Sequence, residues 1–305
     1  MKLLIFDVGD AACSLISSPN QYGLMVDCGS NGDKGNPIDI INGQNMKEWL
    51  NLKPYVESNG VSYSLGLLHI THPDDDHVRN AKRIQEELTP YLVEKRKSEE
   101  FPDSDTINQD YIKKIDKAYR GTNPETINWG FDVNLSFQIP MNTVTSDENL
   151  KKKVRNNSSI VRLVEYNGIK ILFGGDLETS GWEWLIANNA DFVNTIKKGV
   201  NIYVAPHHGH KSAYCGELFE LIGNVDVVIH SKGSEASKDG TDVSTSYSEH
   251  CDGVKYLGAN DGEHYLGKVL TTRSNGLIVI RIEDGAYYIT TQKASSNHEK
   301  FEKTT

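Results

Sequence analysis

Residues 70–77 read Ile-Thr-His-Pro-Asp-Asp-Asp-His, so two imidazoles and three carboxylates fall within a few positions directly after the apolar run Leu65-Gly66-Leu67-Leu68-His69-Ile70. Length and composition make that run a strand. A buried strand that ends in His72, Asp74, Asp76 and His77 sets several metal-binding groups at one sheet edge. Carboxylates crowded in this way repel one another unless something positive sits among them, and a divalent cation is the simplest answer.

Three further sites follow apolar strands. Gly174-Gly175-Asp176 comes after Ile171-Leu172-Phe173, where two glycines permit a sharp turn that faces a carboxylate inward. Pro206-His207-His208-Gly209-His210 comes after Ile202-Tyr203-Val204-Ala205, and Val26-Asp27-Cys28-Gly29 closes an earlier run. Plainer readings stand beside these. Asp74-Asp75-Asp76 also suits the start of a helix, the role expected of Asp75. Asp176 alone could be a turn residue. His210 reads as a loop residue, His230 as a core histidine, Trp182 and Trp184 as packing, and the cysteines as structural. Tyr247 and His250 could line a substrate mouth, and the run 95–97 reads as a solvated face.

The elements that must position these groups alternate between strand and helix. Strands are expected at 2–7, 13–17 and 24–27 as a meander, then at 65–70, 133–139, 160–166, 169–173, 202–205, 225–230, 277–282 and 286–290. Helices are expected at 46–57, interrupted by Pro54, and at 78–88, 178–189 and 212–222. Residues 30–45 read as a loop. Residues 95–130 change character, with a charge run and a polar helix at 111–119, and look like an insertion on the sheet edge that could meet a protein partner. One domain over 1–292 and a mobile tail over 293–305 are expected.

The 305 residues, 37% hydrophobic and 24% charged, fit a single globular α/β domain. No apolar stretch reaches the length of a membrane span, and the N-terminus reads as a first strand rather than a leader. Four cysteines lie far apart with no CxxC, which suggests reduced thiols in a cytoplasmic compartment. A net charge of −10 opposes a non-specific grip on long nucleic acid and leans towards a small substrate or a strand end.

Taken in order, the motifs resemble the metallo-β-lactamase superfamily, whose hallmark is a His-x-His-x-Asp-His loop followed by a lone Asp and a later His. The loop stands here as His72-Pro73-Asp74-Asp75-Asp76-His77. Phe6-Asp7-Val8-Gly9, Val26-Asp27-Cys28-Gly29, Asn156–Val161, Leu172–Asp176 and Pro206–Gly209 with Ser212 look closest to the hydrolase domain of the ComEC bacterial DNA-uptake proteins and their stand-alone relatives. The resemblance implies a four-layer αββα sandwich with two divalent metal ions, Zn or Mn. His72 and Asp74 would hold one ion, Asp76 and His77 the other, and Asp176 would bridge them. His207 would complete the second set, with His208 as the alternative ligand or as the proton donor to the leaving oxygen. Asp27 would orient a ligand imidazole, while Asn157, Ser158, Lys211 and Ser212 would hold a phosphate. The sequence departs from the pattern in three places: Asp74 stands for the second His, no histidine lies between His77 and His207, and His210 stands for a Ser. An oxygen ligand at position 74 tilts the set towards manganese. The leading expectation is a phosphodiesterase or nuclease in which a metal-bridged hydroxide attacks and Asp76 orients it. Hydrolysis of a lactone, thioester or β-lactam on the same fold, and a non-catalytic binding module, are the alternatives.

Overall fold

Successive strand residues face opposite sides, and the first strand shows the consequence. Lys2–Ile5 turns Leu3 and Ile5 to one side and Leu4 to the other, and all three are fully buried. A strand buried on both faces needs a layer on each. The structure, a computed structural model, describes all residues except 32–34, 44, 58–59, 64, 101–104, 115–126, 198, 234–242 and 302–305. Among the described residues, a ten-stranded sheet runs in the order Glu299–Lys300, Glu263–Gly267, Val254–Gly258, Ala286–Thr291, Ile278–Glu283, Lys2–Ile5, Cys13–Ser17, Gly23–Cys28, Leu65–His69, Leu92–Glu94. A six-stranded sheet runs Val269–Thr271, Val227–His230, Ile202–Val204, Ile169–Phe173, Val161–Tyr166, Val133–Phe137.

Three apolar clusters glue four layers. Leu3, Ile5, Leu24 and Leu67 of the large sheet meet Val164, Ile171, Ile202 and Ile229 of the small one. On the outer face of the large sheet, Leu4, Leu15, Met25 and Leu68 pack against Ile38, Ile41, Val78, Ile84 and Ile112 from helices. On the outer face of the small sheet, Leu163, Leu172, Tyr203 and Val228 pack against Trp182, Leu185, Phe192, Leu218 and Phe219. This is the α/β four-layer αββα sandwich expected from the sequence. Each buried Leu or Ile contributes about 1.5–3 kcal/mol relative to exposure.

Strand direction places the site. Gly23–Cys28, Leu65–His69 and Leu92–Glu94 are mutually parallel, as are Ile169–Phe173, Ile202–Val204, Val227–His230 and Val269–Thr271. The carboxyl ends of parallel strands share an edge, so Asp27, the 71–77 loop, Asp176 and His207-His208 emerge there together.

Several expectations are corrected. The helix expected over 46–57 is only Met46–Trp49, and Pro54 instead opens Pro54–Glu57, paired antiparallel with Gly60–Tyr63. The loop expected over 30–45 contains the helix Pro37–Asn42, whose first turn is capped by the Asn36 side chain accepting from Ile38 N. The helix expected from 78 is split into Asp75–Val78 and Ala81–Glu87. Of the 95–130 insertion, Ile107–Lys114 joins the outer helical layer through buried Ile112, and its other residues at 101–104 and 115–126 lie outside the described ones. Arg96, expected on a solvated face, is buried and donates through Nε to Ser158 O at 2.8 Å. The tail expected to be mobile carries the edge strand Glu299–Lys300, with Tyr265 opposite Lys300. Tyr247, expected at a substrate mouth, is fully buried in the outer cluster of the small sheet, and His250 stacks on Phe219 there. No described helix is long and apolar enough to cross a membrane.

Gly29 ties the fold to the site. Its N–H donates to Ala12 O at 2.8 Å, while Ala12 N–H donates to Asp76 O at 3.0 Å. A Cβ on Gly29 would lie 1.5 Å from that Asp76 carbonyl oxygen. Gly29→Ala must therefore push the backbone of Asp76 aside. It should cost about 1–3 kcal/mol or more in urea denaturation and weaken metal uptake; wild-type values for both would show that this contact does not position Asp76.

Candidate metal centre

The 71–77 loop leaves its strand at Thr71 and turns into the short helix Asp75–Val78. Asp74 stands at that helix's N-cap position, yet its side chain makes no cap hydrogen bond. Asp75, acidic in that helix's first turn, instead accepts from the side chains of Arg79, Thr106 and Asn108. His72 and His77 are fully buried, with ring centroids 4.1 Å apart. Asp176 follows Gly175, which is held at φ 58°, and its own N–H donates to Ser159 Oγ at 3.0 Å.

Four imidazoles converge in the same way. His77 turns Nδ1 to Asp27 Oδ2 at 2.8 Å, His208 turns Nδ1 to Ser231 O at 2.7 Å, and His72 turns Nδ1 to Thr71 Oγ1 at 3.3 Å. His207 has Nδ1 3.3 Å from Glu178 Oε1. Asp27 is fixed in turn, since Thr71 donates to it through both N–H and Oγ1 at 2.8 Å. Each ring is therefore left with Nε2 facing inward, the tautomer and orientation a metal ligand needs. His77 Nε2 lies 3.1 Å from Asp176 Oδ1 and 3.9 Å from Asp76 Oδ2, and His208 Nε2 lies 3.1 Å from Asp76 Oδ2. One donor atom from each of Asp76, His77, Asp176 and His208 falls within 4.8 Å of the others. On the other side, His72 Nε2 lies 3.6 Å from Asp74 Oδ2 and 3.8 Å from Asp176 Oδ2.

These donors fit a divalent cation. His72 Nε2, Asp74 Oδ1, His77 Nε2 and Asp176 Oδ1 are buried and make no hydrogen bond, although ion-pair contacts within the cluster or from Arg155 reach them. Buried polar atoms left without hydrogen bonds are costly unless a ligand completes them. Donors about 2.1 Å from an ion at tetrahedral angles stand roughly 3.4 Å apart, and the donor pairs named above stand 3.1–3.9 Å apart.

Electrostatics agree. Burial alone would raise the carboxyls of Asp76 and Asp176. The imidazoles of His77 and His208, joined at Asp176 by His72, together outweigh it and hold both below the usual carboxylate range. Burial would lower His77, but Asp176, Asp27 and Asp76 lift it well above the ordinary imidazole value, and Asp176 and Asp76 lift His208. In metal-free protein these imidazoles carry protons where a cation would sit.

The other expected residues fall differently. Asn157 and Ser158 are fully buried. Asn157 donates through Nδ2 to Leu150 O at 2.9 Å, and Ser158 donates through Oγ to Arg155 O at 2.6 Å, so both serve the local turn rather than an open phosphate seat. Asn156, between helix and site, donates to Glu178 Oε1 at 2.6 Å. Ser212 Oγ lies 3.3 Å from His207 Nδ1 and 2.8 Å from His210 Nδ1, while Lys211 is exposed beside them. Sequence reasoning missed Glu178 and Arg155. The first lies two positions after Asp176, a spacing that could have drawn notice. Arg155 reaches Asp74 Oδ1 at 3.6 Å and also pairs with Asp105. A concavity of about 850 Å³ lined by Ser244, Lys268, Arg273 and His298, among others, includes none of the site residues.

No protein-family model matches this chain, and no curated protein matches it. Among solved structures it is similar to the metallo-β-lactamase fold protein YhfI from Bacillus subtilis, at 11% identity and TM-score 0.44 over 91% of this chain and 99% of that one. It is also similar to the Rm3 metallo-β-lactamase, at 11% identity and TM-score 0.34 over 66% and 76% of the two chains. A Cronobacter sakazakii metallo-β-lactamase aligns at 10% identity and TM-score 0.29 over 63% and 70%.

The pKa directions set the pH behaviour of chelator-treated protein. Asp76 and Asp176, depressed on folding, stabilise it above the unfolded carboxylate range, and that contribution is lost as pH falls through their folded values. His77 and His208, raised on folding, stabilise it below about pH 6.5, their unfolded value, and that contribution is lost as pH rises through their folded values. Denaturation of metal-free protein across pH should show stability falling on both flanks, and calorimetry near neutral pH should show protons released on metal binding. Uptake without proton release would contradict this charge assignment.

Proposed function

We propose that this chain is a metal-dependent hydrolase that cleaves a phosphodiester, in nucleic acid or in a small nucleotide. The observation that carries the reading is the common inward turn of four Nε2 atoms onto three carboxylates. Asp76, His77, Asp176 and His208 would hold one cation. His72, Asp74 and the second oxygen of Asp176 form three-quarters of a neighbouring set. When bound, such cations acidify water to a nucleophile at neutral pH and neutralise charge on phosphoryl oxygens.

The chain's own residues supply the rest. Asp27 and Ser231 keep the His77 and His208 rings from rotating, so Nε2 stays aimed. Asp76 has a more exposed side chain than His208, the other half-buried member of the set, and one of its oxygens would orient an attacking water. Arg155 and exposed Lys211 would draw the substrate's phosphate to the cleft edge. Oxygen donors form half of the first set, which suits Mn as well as Zn.

Turnover of bis-p-nitrophenyl phosphate by metal-loaded protein tests the reading. Asp176→Asn removes the charge shared by both sets and should lower turnover by about 10²–10⁴-fold, the scale of losing a catalytic group, while binding less metal. Full metal content with no hydrolysis of any phosphodiester would overturn the substrate class, and wild-type turnover in Asp176→Asn would overturn the site.

A further inference from the structure

His207 and His208 are adjacent in sequence, yet their rings stand 6.2 Å apart at 65°. The backbone pushes them apart. His207, His208 and Gly209 have φ of 48°, 55° and 79°, three consecutive residues in the left-handed region. Residues with side chains adopt that region at a cost of order 1–3 kcal/mol each. Gly209 cannot be replaced there, because a Cβ would lie 2.3 Å from the His230 ring.

The two rings reach different sides of Asp176. His208 Nε2 belongs to the group with Asp76, His77 and Asp176. His207 Nε2 lies 3.9 Å from Asp176 Oδ2, the same oxygen that His72 Nε2 approaches at 3.8 Å, whereas His77 approaches Oδ1. The sequence has no histidine between His77 and His207, and His207 is the later imidazole that approaches the same Asp176 oxygen as His72. Behind His207 stands Glu178, 5% exposed, whose Oε1 faces Nδ1 at 3.3 Å and accepts from Asn156 Nδ2 at 2.6 Å. Glu178 stands to His207 as Asp27 stands to His77.

We infer that His207 and His208 are divided between two cation positions, His208 with Asp76, His77 and Asp176, and His207 with His72, Asp74 and Asp176, and that Glu178 is the positioning residue that fixes His207 for the second. The inference rests on the two-cation reading above and adds to it the source of the missing nitrogen ligand. It assigns a role to Glu178 that no geometry of the first set requires.

The test is metal binding by the full chain, stripped with chelator and titrated with Mn²⁺ alone, read as ions per chain and affinity by calorimetry and elemental analysis. Wild type should take two ions of unequal affinity. His207→Ala and Glu178→Ala should weaken the second ion alone by about 10–100-fold, with Glu178→Asp restoring part of it, while His208→Ala should weaken the other ion. A purely structural Glu178 would lower thermal stability without separating the two affinities, and that result would overturn its role, as would two wild-type affinities in Glu178→Ala. A wild-type chain that takes a single ion would overturn this inference together with the two-cation reading. Two ions in wild type, unaffected by His207→Ala, would overturn the division alone.

Discussion

Asp74, Asp76 and Asp176 meet in a cleft where burial makes negative charge expensive, and everything around them can be understood as a response to that. Among the described residues, the protein answers with imidazoles rather than lysine or arginine as the ion-pair partners of Asp76 and Asp176. That choice is informative. A permanent cation would neutralise the carboxylates and end the matter, whereas a histidine can give up its proton and present a lone pair to a metal in its place. The raised His77 and His208 are the metal-free side of the same balance.

The sandwich exists, from the viewpoint of this site, to bring four strand ends into register. Parallel pairing within each sheet puts Asp27 beside the 71–77 loop and Asp176 beside His207-His208. The apolar layer between the sheets then fixes one group against the other, and Ile160 N–H donating to Thr71 O at 2.8 Å stitches them at the cleft itself. Rigid strands carry the ligands, and the strained left-handed run at 207–209 is confined to the point where two adjacent rings must diverge. A further polar bridge below the cleft joins His69, Glu94 and Arg162 across the sheets, with His69 Nδ1 2.9 Å and Arg162 Nη1 2.7 Å from Glu94 Oε2.

Much of this was legible in the sequence because it is local. The strand that ends in His-Pro-Asp-Asp-Asp-His, the double glycine before Asp176 and the double histidine after Ala205 each announce themselves within a few residues. Strand centres were legible for the same reason, since alternation and apolar runs are short-range signals. What was hidden depends on distant partners. Arg96 sits in a charged run but is drawn inward by a carbonyl 62 positions away. Asn157 and Ser158 lie in a polar segment, yet the turn folds them away from the cleft. The choice between His207 and His208 was undecidable from sequence because both follow the same strand, and only the left-handed backbone sends them to opposite sides of Asp176. Glu178 was missed because its meaning depends on His207, 29 positions later.

The central claim is that this cleft holds a divalent cation between Asp76, His77, Asp176 and His208. Anomalous diffraction from crystals of the full chain, grown with Mn²⁺ and measured at an energy where manganese scatters anomalously, tests it most directly. The account predicts an anomalous peak about 2.1–2.3 Å from His77 Nε2, His208 Nε2 and oxygens of both aspartates. Crystals with saturating Mn²⁺ or Zn²⁺ that show the same four side chains and no peak among them would contradict it.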